Sequence, residues 1–77
     1  MAGTLERLAL DCVRAPPRDA HFCFAVLRDY IRRTPVTQLL REIRMIEDKR
    51  VFNHLIGAGL TAELQEALMR RWRELQR

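Results

Sequence analysis

Apolar residues recur at helical spacing along this chain, and three breakers, Ala15-Pro16-Pro17, Thr34-Pro35 and Gly57-Ala58-Gly59, cut the pattern into short lengths. Proline removes an amide donor and disfavours helix in the residue before it. Glycine accepts the left-handed conformation that closes a helix. No run of beta-branched residues alternates with polar ones, and no Asn-Gly turn marks a hairpin. The pattern predicts an all-α fold, a compact bundle of four to five short helices with tight connections, as one domain over residues 1–77.

Leu5, Leu8, Ala9 and Cys12 make the first stripe, with Thr4 as its possible N-cap and Val13 at its end. The second helix is expected from about Pro17, a favoured first helical residue, to Arg33. Ala20, Cys23, Phe24, Leu27, Tyr30 and Ile31 form its main stripe, and Phe22 and Val26 a second strip beside it. A helix apolar over so much of its circumference is expected to be covered on two sides, which makes it the candidate central helix. At the next break, either Thr34 caps with Pro35 in first position, or Thr37 caps a helix that starts later. Val36, Leu39, Leu40 and Ile43 give a third stripe. Asp48 is a candidate N-cap for a fourth helix, in which Val51, Phe52, Leu55 and Ile56 face inward.

The last helix is the one the chain is expected to organise around. Leu64, Ala67, Leu68, Trp72 and Leu75 recur on one face after the N-cap Thr61. Glu63 in its first turn and Arg70, Arg71, Arg73 and Arg77 towards its end match the helix dipole. Trp72, the single tryptophan, carries the largest apolar side-chain surface in the chain. The expected core comprises Phe24, Leu27, Leu40, Phe52, Leu55, Leu68 and Trp72.

A hydrophobic content of 48% is too high for a disordered chain. No apolar run approaches the roughly 20 residues that cross a bilayer. The stretch from Met1 to Arg7 lacks the basic-then-apolar order of a secretory signal, so an intracellular protein is the default expectation. Cys12 and Cys23 fall on apolar faces as free thiols, and with His21 and His54 they show no metal-ligand spacing. The net charge of +4 comes from 14 basic residues, all but Lys49 arginine, against 10 acidic ones. Such an excess suits an acidic partner or a nucleic acid, with Arg70, Arg71, Arg73 and Arg77 on phosphates as the nucleic-acid alternative.

Catalysis needs groups that converge, and none are evident. The sequence has no glycine-rich phosphate loop, no GxSxG, no HExxH and no serine at all. Glu42, Glu47 and Asp48 read as caps and ion-pair partners rather than an acid/base pair. Neither an enzyme nor a cofactor is expected.

Three ordered segments over roughly residues 20–77 resemble the N-terminal domain of transcription elongation factor TFIIS, also called the LW domain. Leu27 and Ile31, then Pro35-Val36-Thr37 and Leu39-Leu40, resemble its "LxxL…PIT…LL" stretch. Arg50-Val51-Phe52-Asn53-His54-Leu55 is similar to its "KTVNKL" segment, and Ala67 to Leu75 to its closing leucine–tryptophan signature. Asp48-Lys49 stand where the family has Ile-Gly, so the chain would be a divergent member. The resemblance implies a non-catalytic bundle of about five helices, with Thr37 as the cap after Pro35. It also implies a nuclear, monomeric module that binds short acidic and aromatic motifs in disordered segments of transcription-elongation or chromatin factors. The family binds at one end of the bundle, on the loops joining the first two and the last two helices. Carried onto this chain, the contact residues are Val13, Arg14, Pro16, Arg18, Ile56, Gly59 and Leu60. Val13, Pro16, Ile56 and Leu60 would form a socket for an aromatic anchor, and Arg14 and Arg18 would meet flanking acids.

Overall fold

The computed structural model describes residues 3–77. Met1 and Ala2, the start of the stretch read above for a signal, lie outside the described residues. The elements are α1 (Thr4–Arg14), α2 (Pro17–Arg33), α3 (Val36–Arg44), a 3-10 turn (Lys49–Val51) running into α4 (Phe52–Ile56), and α5 (Ala62–Leu75). The described residues form an all-helical bundle without strands. Its Cα radius of gyration is 11.6 Å, against about 11.5 Å for a packed chain of this length, so the helices are closed on one another.

The central helix is α1, which corrects the expectation for α2. α2, α3, the 3-10 turn and α4 all pack on α1, while α5 packs on α3 and α4. Leu5 and Ala9 are fully enclosed, and with Leu27, Leu39, Ile43, Leu55 and Leu68 they form one continuous core. The reason α2 is not enclosed is that α1 is the one helix packed closely on it, so a single face is covered. Leu27 and Ile31 are buried and Cys23, Phe24 and Tyr30 half-buried, but Ala20, Phe22 and Val26 face solvent.

Two glutamates tie α1 to α3 and its exit loop. Leu5, in the first turn of α1, donates its N–H to Glu42 Oε1 of α3 at 2.8 Å. The other oxygen of Glu42 accepts from the Tyr30 hydroxyl at 2.6 Å, which brings in α2. Reciprocally, Glu6 Oε2 of α1 accepts from the N–H groups of Glu47 and Asp48, at 3.0 and 2.9 Å, just beyond α3. Both side chains are buried, Glu6 to 4% exposure and Glu42 to 9%. The N-cap position of α1 is therefore Gly3, with no side-chain cap of its own, and Thr4 is the first helical residue. Thr4 is not the cap because Glu42 occupies that role from outside the helix. Gly3 leaves room for it: a Cβ there would lie 2.8 Å from Glu42 Oε1.

At the α2–α3 break neither threonine is the N-cap of α3. The N-cap of α3 is Pro35, Thr37 lies inside the helix, and Thr34 closes α2 instead, its hydroxyl donating to Tyr30 O at 2.6 Å. Pro35 can hold that position because its own carbonyl accepts from Gln38 and Leu39, both at 3.1 Å. Asp48 caps the 3-10 turn through Arg50 N–H at 2.9 Å, and Thr61 caps α5 through Leu64 N–H at 3.4 Å. Gly57 ends α4, and Gly59 takes the left-handed φ of +80° that turns the chain into α5.

Glu42→Ala leaves the Leu5 amide and the Tyr30 hydroxyl without their acceptor. It should destabilise the fold by about 2 kcal/mol in urea titrations, whereas Glu66→Ala on the surface should change it by less than about 0.5 kcal/mol. Asp48 gives a pH signature. Its hydrogen bonds to the Arg50 side chain and then to the Arg50 amide lower its pKa from 3.8 to about 2. A lowered folded-state pKa stabilises above the unfolded value and is lost as pH falls through the folded one. The stability difference between wild type and Asp48→Asn should therefore shrink as pH drops from about 4 to about 2.

Candidate functional site

The uncovered side of α2 carries the largest departure from a closed core. Arg18, Phe22, Val26, Asp29 and Arg33 follow one another at spacings of three and four residues and so lie on one line of the helix. Phe22 is 71% exposed and Val26 38%. A single exposed apolar residue needs no explanation, but a phenylalanine and a valine one turn apart on the outer face make a small contiguous patch.

Charged side chains flank this patch, Arg18 and Asp19 before Phe22 and Asp29, Arg32 and Arg33 beyond Val26. Asp29 is shared by Arg32 at 3.5 Å and Arg33 at 3.0 Å, and Arg18 reaches Asp19 at 4.0 Å. Arg28 sits with its guanidinium carbon 6.0 Å from the centroid of the Phe24 ring. α2 thus carries Arg18, Arg28, Arg32 and Arg33 against Asp19 and Asp29. The pairs are solvent-exposed, and such pairs are worth about 0–1 kcal/mol, so the guanidinium groups can turn to an incoming carboxylate at little cost. Beside the patch lies a shallow hollow of about 230 Å³, lined by Ala25, Arg28, Asp29 and Arg32.

A second and larger groove, about 490 Å³, runs between α3 and α5. Leu40 and Ala67 contribute its apolar lining. Arg44, Arg70 and Arg71 are matched there by Glu63, Glu66 and Glu74, so the groove has no preferred charge. Arg71 is a structural residue: its Nε donates to Ile46 O at 2.8 Å and its Nη1 to Glu74 at 3.2 Å, pinning α5 to the exit of α3. Arg70 pairs with Glu66 at 3.6 Å. Of the arginines expected on phosphates, Arg73 and Arg77 remain exposed without an ion pair among the described residues.

The seven contact residues carried over from the family resemblance are spread unevenly. Arg14, Pro16, Arg18, Ile56 and Gly59 are exposed, while Val13 and Leu60 are half-buried, Leu60 packing on the core. None of the seven lines either hollow. Arg18 alone adjoins the patch on α2. Of the expected core residues, Leu27, Phe52, Leu55 and Leu68 are buried, and Phe24, Leu40 and Trp72 are half-buried at its margin. Trp72 meets Phe52 edge to face, with ring centroids 5.2 Å apart and an interplanar angle of 67°. Phe22 and Val26, the second strip of α2 expected to be covered, are exposed. They are bare because they lie on the face of α2 turned away from α1.

Cys12 and Cys23 are free thiols. Burial, followed by the neighbouring Cys23 and Asp11, pushes the Cys12 thiol above its usual 9.0, which keeps it protonated at neutral pH. Among the described residues no three His, Cys, Asp or Glu side chains are placed to hold a metal ion, and no helix is long and apolar enough to cross a membrane. Compared with protein-family models, curated proteins and solved structures, the chain shows no match in any of the three.

Proposed function

We propose that this chain is a non-catalytic protein-interaction module, which docks acidic segments bearing bulky apolar residues on the outer face of α2. The observation that carries the reading is Phe22, 71% exposed on a helix fixed by its inner face, with Arg18 one turn before it and Arg32 and Arg33 further along. An apolar anchor inside a charged rim is the arrangement by which small interfaces gain affinity from the centre and selectivity from the edge. The partner's carboxylates would meet Arg18, Arg32 and Arg33, and its apolar side chains would cover Phe22 and Val26.

The resemblance to the TFIIS N-terminal family supports the same class of function. It adds the proposal that the partners are disordered segments of nuclear transcription-elongation or chromatin factors. The family's end-of-bundle site would place contacts around Pro16 and Arg18, and Arg18 belongs to both surfaces. A nucleic acid is a poorer fit. Glu63, Glu66 and Glu74 interleave with the α5 arginines, Arg71 is committed to Ile46 and Arg70 to Glu66, which leaves Arg73 and Arg77 for phosphates.

Titrating isotope-labelled protein with a peptide carrying phenylalanine between acidic residues should move the amide signals of residues 18–33. Phe22→Ser should weaken that binding about tenfold or more. Shifts confined to α5, or stronger binding to duplex DNA than to the peptide, would overturn the proposal.

A further inference from the structure

We infer that the segment docked on α2 is itself a helix, an acidic amphipathic one that lies along α2 and adds a further helix to the bundle. The inference rests on the docking surface proposed above and names the form of its occupant.

The first argument is the shape of the hollow. Ala25, Arg28, Asp29 and Arg32, which line it, stand at positions i, i+3, i+4 and i+7. Four residues so spaced on one helix form the hole into which a single side chain of a facing helix inserts. Ala25, the smallest of the four, keeps the hole open. The exposed ring of Phe22 stands one turn away, beside Val26, as a knob for the hole opposite. This is a surface for helix ridges and grooves, whose axes sit about 8–10 Å apart.

The second argument is backbone hydrogen bonding. An extended segment needs partners for its N–H and C=O groups where it is desolvated. α2 has none to offer, because its own backbone groups are spent within the helix, and no strand edge exists among the described residues to extend. A helical segment satisfies its backbone internally and presents side chains only.

Charge selects the sign. Arg18 and Arg33 stand about 22 Å apart along the axis, one before and one beyond the patch, and Arg32 and Arg33 share the single carboxylate of Asp29. A partner helix with a leucine stripe and carboxylates towards both ends is complementary over that whole length. A second copy of this chain would set one net-basic face, four arginines with two aspartates, against another and is disfavoured.

The test uses a synthetic peptide of about 18 residues, long enough to span that distance, with a leucine stripe flanked by glutamates. Its control has the same charge and two central prolines, which prevent a helix. With the intact protein the first peptide should bind and gain helicity in circular-dichroism difference spectra, and the proline control should bind about tenfold more weakly or worse. Ala25→Met fills the hole on an exposed helical position, so the fold should be retained; binding of the helical peptide should weaken about tenfold. Equal binding of both peptides without helix gain, or indifference to Ala25→Met, overturns the inference and leaves the docking function standing. If neither peptide binds, both fall. Preferential binding to vesicles of phosphatidylglycerol, or dimerisation that Phe22→Ser abolishes in sedimentation runs, also overturns it.

Discussion

The exchange of buried carboxyl groups between α1 and α3 holds this fold in register. A helix leaves N–H donors unpaired at its N-terminus and C=O acceptors at its C-terminus. In α1 the Leu5 donor is met by Glu42 from α3, and beyond α3 the donors of Glu47 and Asp48 are met by Glu6 from α1. Hydrophobic contact alone is non-directional and would let short helices slide on one another. The two glutamates forbid it, because a shift of one residue would strand buried polar groups at both places at once. Tyr30 extends the lock to α2 through the second oxygen of Glu42. Burial, then the hydrogen bond to Glu42, raises the Tyr30 pKa above its usual 10.0, so the phenol keeps its donor proton through the physiological range.

This lock was the part of the structure least legible from sequence. The short-range features were readable because their chemistry is local. Pro17 opens α2 where expected, and Arg33 ends it. Asp48 and Thr61 cap elements that begin within three residues of them. Thr4 failed as a cap because its competitor stands 38 residues further along the chain. Glu6 sits in the first turn of α1, beside Arg7, and reads there as a solvated charge favoured by the helix dipole. Nothing in its neighbourhood announces that its oxygen will close a loop more than 40 residues distant. α2 failed as the central helix for a related reason. Its stripes show what is available for burial, but only the placement of the other helices decides how much is buried.

The core and the proposed docking face of α2 are consequently set on opposite sides of a single rigid element. Leu27 and Ile31 face inward, with Tyr30 tied to Glu42, and these contacts fix the helix whatever stands outside. Phe22, Val26 and Ala25 are not among the residues of the core or those packed against it. Substitutions among them are therefore expected to change binding while leaving stability almost untouched. Surfaces built on an anchored helix also hold their side chains in a narrower range of positions than surfaces built on loops.

The separation explains why the groove between α3 and α5, although larger, is the weaker candidate. Arg71 at its edge holds Ile46 and Glu74, so a ligand that competed for that guanidinium would loosen the seat of α5. Its remaining charges are balanced, which leaves no electrostatic reason for one occupant over another. On α2 the opposite holds: the arginines are bound only by exposed, weak pairs, and the apolar patch is already in water before any partner arrives. Covering Phe22 therefore releases an existing unfavourable exposure without breaking a contact the fold needs, a condition the groove does not meet.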